Sequence, residues 1–463
     1  MRLSGLVRTA VLLALPGLLA APASALDLEL STILETKAAI AIPTAQDEED
    51  DRRWDLLQGD VSAEFKLDAS HDKHSAFADC SLLYDAVGTG SSGFALDQDS
   101  DEHHFYFKLK EGWYDYNGGF WSVRAGRQIN AWGAADGLQV ADILCPKDES
   151  KLLASDYSDS RIGIDALRLS YNGNMLTADV YWIPVFAPSV LPLAKKNPIR
   201  SLIMPSSVTT ELMGRTLNIK IRDFSQDDID KPETNLKNAE YAGRVSAYTP
   251  FADFSLYGFW GWDDEPIISY AISKVNDYGL PTEIALSGQY KRMGMVGADT
   301  SIPIGPLVAR AEAAFFPGRF FATDAAAQLV AGQDDAYVQM NEIRFLAGLD
   351  FIAGDWTITG QYYGDTVTDK KKNVDRKSYI HQATLSISKT FLGGNLEIGL
   401  AGMMELNDFS FVVQPSISYD ATDQLTFSIG ANIFRPGPDD DEPGTYGAYE
   451  DLSCITLGAK FSF

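Results

Sequence analysis

Apolar and polar side chains alternate along much of the chain, and the alternation is plainest at its end. Between Ile455 and Phe463 every second residue is apolar, and the residues between them are small or polar. Successive side chains of a strand point to opposite faces, so this segment predicts a strand with one apolar face and one wet face. Amphipathic strands with an aromatic last residue are typical of barrels in the bacterial outer membrane.

About eighteen segments show this pattern, from Leu28–Ile40 through a tenth at Thr282–Met295 to the last at Ser453–Phe463. The connections alternate long and short, starting with a long one, and the short ones carry turn residues such as Asn117-Gly118-Gly119. Long external loops and short periplasmic turns predict an all-β fold, a single closed antiparallel transmembrane barrel of about 18 strands. If two marginal segments did not form strands, the barrel would have sixteen.

Three connections depart from a plain loop. The segments 130–160 and 187–238 are long enough to fold into the pore, and the second contains a helix-like run near Glu211–Ile221. Asn407-Asp408 is short where a long loop is expected. No boundary of a soluble domain interrupts residues 26–463, although a soluble periplasmic sandwich is the competing fold.

The N-terminus predicts export. Arg2 and Arg8 precede a short apolar stretch, and Ala23-Ser24-Ala25 supplies a small-residue cleavage pattern. We therefore expect residues 1–25 to be a signal peptide and the mature chain to begin at Leu26. An N-terminal membrane helix is the alternative, but the apolar stretch is short and is broken by Pro16-Gly17.

The chain is acidic, with a formal charge of −26. This balance disfavours nucleic acid as a partner. The acid is concentrated in three runs between strands, at 47–51, 263–265 and 439–442. Such runs are ordinarily solvated loops, but they could also bind lipopolysaccharide through divalent cations or enrich cations at a pore mouth. The expected partners are the lipid bilayer, lipopolysaccharide, a small polar solute and, during insertion, the barrel-assembly machinery.

The sequence offers no catalytic or metal-binding pattern. The three cysteines, Cys80, Cys145 and Cys454, leave at least one free thiol, and alternation places Cys80 toward lipid and Cys454 toward the lumen. His381 lies on an outward face without a neighbouring serine, so a nucleophile–base pair is not visible. We expect no enzymatic activity and no cofactor.

The first third of the chain resembles a family of uncharacterised Gram-negative outer-membrane barrels that is grouped by sequence with alginate-export-type porins. The matching residues include Leu34–Ile40, Leu82–Val87 and Arg124–Asp148, with a Gly-Arg-Gln-x-x-x-Trp-Gly core from Gly126 to Gly133. The resemblance implies passage of solutes, with the loop after the fifth strand folded into the pore. Alginate exporters need a strongly cationic lumen, and this chain is acidic.

Alternation assigns charged side chains to the lumen, because charge on the lipid face of a barrel is costly. The motif adds residues at the point where the fifth strand enters its loop. The pore-lining and constriction candidates are Arg124, Arg127, Gln128, Trp132, Asp136, Arg168, Arg244, Lys291, Arg310, Glu312, Glu342, Arg344 and Glu397. These charges could sort solutes in a transverse field, or they could form salt bridges that merely fill the lumen. Gln128 and Trp132 could equally be part of a structural turn.

The predicted function is passive diffusion of small polar or charged solutes through a porin-like channel in the outer membrane. The alternative is a surface adhesion or scaffold barrel with a closed lumen. We expect a weak cation preference set mainly by the acidic loops, because opposing charges in the lumen partly cancel.

Overall fold

The alternating segments form strands throughout the residues that the computed structural model describes: 26–43, 54–97, 103–151, 159–212, 215–331, 336–374, 376–439 and 443–463. The predicted signal peptide, the acidic run 47–51 and residues 440–442 lie outside them. The strands are β1 (Asp27–Ala41), β2 (Leu56–His71), β3 (His74–Asp85), β4 (Phe94–Ala95), β5 (Phe105–Asn117), β6 (Trp121–Gln128), β7 (Ile164–Asn172), β8 (Leu176–Ile183), β9 (Ser207–Leu212), β10 (Arg215–Ile221), β11 (Ile229–Asp230), β12 (Glu240–Tyr248), β13 (Asp253–Trp262), β14 (Ile267–Val275), β15 (Pro281–Gln289), β16 (Arg292–Ile304), β17 (Leu307–Ala322), β18 (Tyr337–Ala353), β19 (Trp356–Thr368), β20 (Tyr379–Phe391), β21 (Leu396–Glu405), β22 (Phe411–Thr422), β23 (Leu425–Arg435) and β24 (Cys454–Ser462). Short helices cover Arg200–Ile203, Ala325–Ala331 and Gly444–Gly447, and single 3₁₀ turns cover Gln226–Asp228, Leu392–Gly394 and Glu450–Leu452.

Eighteen of these strands form a closed antiparallel wall, which confirms the predicted fold. They are all the strands except β4, β9–β11, β14 and β15. Neighbours along the chain pair with one another, and β1 pairs with β24 to close the ring. The terminal residue completes the closure, since Phe463 exchanges two backbone hydrogen bonds with Thr32 at 2.8 and 3.0 Å. A closed ring leaves no unpaired wall edge, which is what a lipid environment requires.

The outer face of the wall is apolar. Outward positions such as Val180, Leu256 and Leu349 are 60%, 64% and 56% exposed. Protein does not cover these side chains, so they are positioned to contact lipid. Aromatic residues mark the periplasmic rim, where Lys389 lies over the rings of Trp356 and Phe391. An apolar band with aromatic borders is the surface of an outer-membrane barrel.

One wall strand differs from its prediction. The tenth strand was expected at Thr282–Met295, but the wall strand is β16 and the segment before it belongs to β15. β15 joins β14, β9, β10 and β11 in a five-stranded sheet outside the barrel. Both segments alternate, so periodicity alone cannot decide between them. The apolar side of β15 packs in a loop core, where Ile284 is 5% exposed.

Two other local predictions are corrected and one is confirmed. The helix-like run near Glu211–Ile221 is the second part of the β9–β10 hairpin. The acidic run Asp263–Glu265 is only partly solvated, since Asp263 is buried and paired with Arg319 at 2.6 Å, whereas the side chain of Glu265 is 61% exposed. The short external connection at Asn407-Asp408 is present between β21 and β22.

The loop between β8 and β12 is described at residues 184–212 and 215–239, here the roof loop, and it crosses the extracellular mouth. It leaves β8 and reaches the opposite rim, where Ile199 packs against Ala39, Leu57 and Cys454. Asn197 donates to the backbone oxygens of Thr89 and Ser150 at 2.7 and 3.0 Å, so the crossing is fixed in position.

Candidate functional site

The loop between β6 and β7 is described at residues 129–151 and 159–163, here the inward loop, and these residues fold into the barrel as the resemblance implied. Trp132, Val140 and Leu144 are 3%, 0% and 3% exposed and lie in one apolar cluster with inner-face residues of the wall. Those wall residues come from β7 round to β19, among them Tyr181 and Phe316. The loop therefore fills one side of the lumen.

The Gly-Arg-Gln-x-x-x-Trp-Gly motif makes the turn into the barrel. Gly126 has a φ of +128°, and a Cβ there would lie 2.3 Å from the oxygen of Gly112, so no other residue fits. Gln128 is fully buried and donates to the backbone oxygen of Ala166 at 3.1 Å. The ring of Trp132 lies 5.1 Å from that of Tyr257. Gln128 and Trp132 thus hold the loop rather than line an opening.

Glu312 is the anchor of the inward loop. Its carboxylate accepts hydrogen bonds from the backbone N–H groups of Ala134, Ala135 and Ala141 at 2.7, 3.0 and 2.7 Å. Gly133 lies directly against it, because a Cβ at Gly133 would be 2.3 Å from Glu312 Oε1. Glu312 faces inward as predicted, but it is 3% exposed and lies beneath the loop.

Beside this anchor, Arg310 and Asp136 mark the border between the inward loop and the lumen. Arg310 donates to Asp136 at 2.5 Å and to Asp350 at 2.6 Å. The side chain of Asp136 is 64% exposed, whereas that of Arg310 is 14% exposed. Asp136 is therefore a loop carboxylate that solvent in the lumen can reach. Asp142, in contrast, is buried and binds Arg161 at 2.7 Å.

The later part of the inward loop is fixed to the other side of the wall. Lys151 donates to Asp60, Asp85 and Thr89 at 2.9, 2.8 and 2.6 Å. Asp148 accepts from Lys108 at 3.3 Å, and these contacts hold the loop against β2, β3 and β5.

A polar cavity of about 110 Å³ lies between this segment and the wall. Four lysines and five carboxylates line it: Lys37, Lys108, Lys110, Lys151, Glu35, Asp60, Glu64, Asp148 and Asp159. Several are paired, for example Lys110 with Glu64 at 3.1 Å. Sequence reasoning did not select these residues. Alternation along β1, β2 and β5 places the six wall residues among them inward and could have found those six.

The remaining wall, β20–β24 with β1–β3 and β5, is here the open half. Its inner positions in β20–β24 are largely small, polar or glycine, and Ser386, Ser416 and Ser428 are exposed although they point into the barrel. An inward side chain can be exposed only where the lumen is unfilled. The path for solvent therefore runs along the open half.

Arg124, Arg168 and Arg244 point inward as predicted, on the wall that carries the inward loop. Arg124 binds Asp115 at 3.1 Å, and its guanidinium lies 3.6 Å above the ring of Trp113. Arg168 lies opposite Arg124 in the register and donates to Asn130 of the loop at 3.0 Å. Arg244 binds Asp179 at 3.0 Å.

Two candidates do not lie in the lumen. β6 continues through Gln128, whose side chain points inward, so alternation places the side chain of Arg127 on the outer face of the wall. There Arg127 donates two hydrogen bonds to the carboxylate of Asp165, both at 2.9 Å. Lys291 precedes β16 at the outer rim, where its ammonium lies 3.7 Å above the ring of Tyr337. The prediction placed Lys291 inward because it assigned the wrong tenth strand.

Glu342 and Arg344 point inward but belong to a salt-bridge network. Glu342 is fully buried and binds Arg319 at 2.7 Å and Arg376 at 3.0 Å, with Arg344 at 3.4 Å. This part of the lumen is filled by ion pairs, which was one of the two predicted alternatives. Glu397 lies inward and exposed near the periplasmic turn of β20 and β21.

Buried charge also lies where the inward loop meets the loop of residues 263–291. A small cavity there is lined by Lys147, Glu149 and Asp264, among others. Burial, reinforced by Glu265, raises the pKa of Glu149 to about 7. Burial lowers the pKa of Lys147 to about 8 and raises that of Asp264 well above its usual value.

Within the described ranges, no three histidine, cysteine or acidic side chains are grouped so that they could hold a metal ion. No helix among the same residues is both long and apolar enough to span a membrane.

The fold matches solved outer-membrane proteins. OccAB1 of Acinetobacter baumannii is similar at a TM-score of 0.51 and 11% identity, over 94% of this chain and 96% of that one. OccK8 (OprE) of Pseudomonas aeruginosa is similar at a TM-score of 0.51 and 9% identity, over 94% and 98%. At these identities the likeness concerns the fold alone, and it is the apolar outer band of the closed barrel that indicates an outer-membrane location.

Comparison with curated proteins finds no match. A family model does match, over residues 7–463, which is nearly the whole chain. The chain therefore belongs to the family described as protein of unknown function (DUF1302).

Proposed function

We propose that this barrel is a passive diffusion channel for small polar or charged solutes. The observation that carries the proposal is the exposure of inward hydroxyl groups such as Ser386, Ser416 and Ser428. A barrel that served only as a scaffold would have no need of a polar, solvated strip along its inner wall. The inward loop narrows this path without filling it, which suits selection by size and charge.

The charges beside the path favour small polar solutes over a polyanion. The cavity under the inward loop holds four lysines against five carboxylates. A polyanion such as alginate would need a clear excess of cations, so the relationship to alginate-export-type porins stays a prediction. The proposed channel requires no cofactor and performs no chemistry.

The test is single-channel conductance of the purified, folded protein in planar bilayers. The proposal expects steady conductance that rises with salt concentration. A folded barrel that never conducts would instead support the scaffold alternative, in which the external loops bind a partner and the lumen is closed. Insertion by the barrel-assembly machinery and contact with lipopolysaccharide remain part of the proposal.

A further inference from the structure

A cleft of about 940 Å³ lies on the extracellular side of the protein, where the first part of the roof loop meets the five-stranded sheet of β9–β11, β14 and β15. Its floor contains residues 55–57, at the beginning of β2. One wall comes from residues 195–206 of the roof loop, and the other from residues 220–223 with Glu283. The cleft is separate from the polar cavity under the inward loop, since the two share no lining residue.

The cleft is basic although the chain as a whole has a formal charge of −26. Five cationic side chains line it: Lys195, Lys196, Arg200, Lys220 and Arg222. Three carboxylates accompany them: Asp55, Asp223 and Glu283.

Two of these carboxylates are already engaged. Asp223 binds Arg200 at 2.5 Å, and Glu283 binds Lys274, outside the cleft lining, at 2.6 Å. Lys195, Lys220 and Arg222 are exposed to solvent. The cleft therefore keeps a surplus of positive charge for an anionic occupant.

Apolar side chains next to the cleft indicate that the occupant is amphipathic. Leu56 lines the floor, faces outward beside Ile40 of β1 and is 46% exposed. Trp54, just before β2, is 64% exposed, as is usual for aromatic residues at a membrane interface. Leu202 and Ile203 are 38% and 47% exposed on the same short helix as Arg200. The basic groups thus lie at the level where lipid head groups meet the apolar band.

We propose that this cleft binds the phosphate groups of a phosphorylated glycolipid, the lipid A part of lipopolysaccharide in the outer leaflet. Phosphate oxygens accept charge-assisted hydrogen bonds from lysine and arginine, and several such bonds act on one head group. The contact is direct, so it needs none of the divalent cations that would link acidic loops to the same lipid. It depends on the outer-membrane location and not on whether the lumen conducts.

The experiment compares two triple variants of the full-length mature protein. The first is Lys195→Gln, Lys220→Gln and Arg222→Gln in the cleft. The matched control is Lys370→Gln, Lys371→Gln and Lys372→Gln, which removes the same charge from three exposed lysines of another external loop. Native mass spectrometry in detergent, titrated with lipid A, should show affinity reduced by at least about tenfold for the first variant and by less than about twofold for the control.

Two further probes separate phosphate recognition from other causes. Lipid A without phosphates should bind the parent protein as weakly as lipid A binds the cleft variant. Inorganic pyrophosphate should compete poorly, since it lacks the acyl chains that the apolar rim would contact. Competition at the same concentration as lipid A would overturn the lipid assignment in favour of a soluble anion.

Equal losses in the two triple variants would also overturn the proposal, because they would indicate a non-specific charge effect. An affinity of the cleft variant for lipid A equal to that of the parent protein would also overturn the proposal. Unchanged heat-modifiable mobility on gels verifies that each variant is folded. Unchanged channel conductance verifies that the lumen is intact, so failure here is distinguishable from failure of the channel proposal.

Discussion

The two sides of this barrel share one strand pattern but differ in what their inner faces carry. On the filled side, inner positions hold large apolar side chains such as Tyr181, Phe316 and Leu346, all at most 2% exposed. On the open half, equivalent positions of β22 and β23 hold Ser416 and Ser428. Alternation therefore determines that a barrel forms, and the size and polarity of the inner residues decide where the lumen remains open.

Loss of the Glu312 anchor should have the largest effect. Glu312→Ala leaves three N–H groups of the inward loop, one buried and two partly buried, without an acceptor. We expect a loss of about 3 kcal/mol in stability. The released loop should also make the conductance noisy. Thermal unfolding and single-channel recording measure the two effects. Glu397→Ala, on the exposed periplasmic end of the open half, serves as the control. Equal losses in the two variants would show that Glu312 is no special anchor.

A glycine pair tests the contact between loop and wall. Gly133 and Gly137 both have positive φ, of +81° and +75°, but only Gly133 lies against another residue. Gly137→Ala should cost about 1 kcal/mol from backbone strain alone, and Gly133→Ala about 2–3 kcal/mol because its Cβ meets Glu312. Thermal unfolding compares them. Identical destabilisation would mean that the loop can shift away from the wall.

The open half should respond in conductance rather than in stability. Ser416→Trp places a large ring in the solvated lumen and should reduce single-channel conductance by about twofold with little change in thermal unfolding. Ile417→Trp, at the next position, places the same ring on the lipid face and should leave conductance unchanged. A closed or filled lumen would instead make Ser416→Trp destabilising, since the ring would overlap packed side chains.

The sequence predicted the parts of the fold that depend on local periodicity. Eighteen strands, the closure by β24 and the inward loop after the fifth strand are all present. The tenth strand was misassigned because β15 and β16 both alternate, and only tertiary packing decides which one enters the wall. Nothing local distinguishes a strand of an external sheet from a strand of the barrel.

The site was less predictable, because side-chain roles depend on what lies across the lumen. Alternation correctly placed Arg124, Arg168 and Arg244 inward, but it could not show that Glu312 accepts hydrogen bonds from a loop more than 170 positions earlier in the chain. Arg127 was predicted to line the constriction, but it lies in β6 with its side chain on the outer face. The partner of a lumen charge is set by the folded loop, and no single-strand pattern contains that information.

Protonation of Glu149 should affect the filled side only. Its pKa is raised to about 7 from 4.5, so the folded protein binds this proton more tightly than the unfolded chain. Stability should therefore fall as pH rises from about 4.5 to about 7. Glu149→Gln should reduce that fall by about 1–2 kcal/mol, as measured by thermal unfolding at pH 5 and pH 7.5. An unchanged pH dependence would mean that other groups, such as Asp264, dominate it.

The smallest expected effect concerns ion selectivity, which depends on the relative influence of the charges at the mouth and the charges in the lumen. The cavity charges of the open half cancel to within one, four lysines against five carboxylates, so the acidic runs at 47–51 and 439–442 should set a weak cation preference. Mouth charges act through water, and the Debye length falls from about 10 Å at 0.1 M salt to about 3 Å at 1 M. Neutralising both runs should therefore lower the cation preference, read from the reversal potential, at low salt and change it little at high salt.

Lys37→Gln with Lys110→Gln is the matched test of the lumen. The double variant should shift selectivity further toward cations at both salt concentrations, because salt screens charges in a narrow site less than charges at the mouth. Anion preference of the parent protein at low salt would reverse the assignment and make the lumen cations, rather than the mouth, the controlling element.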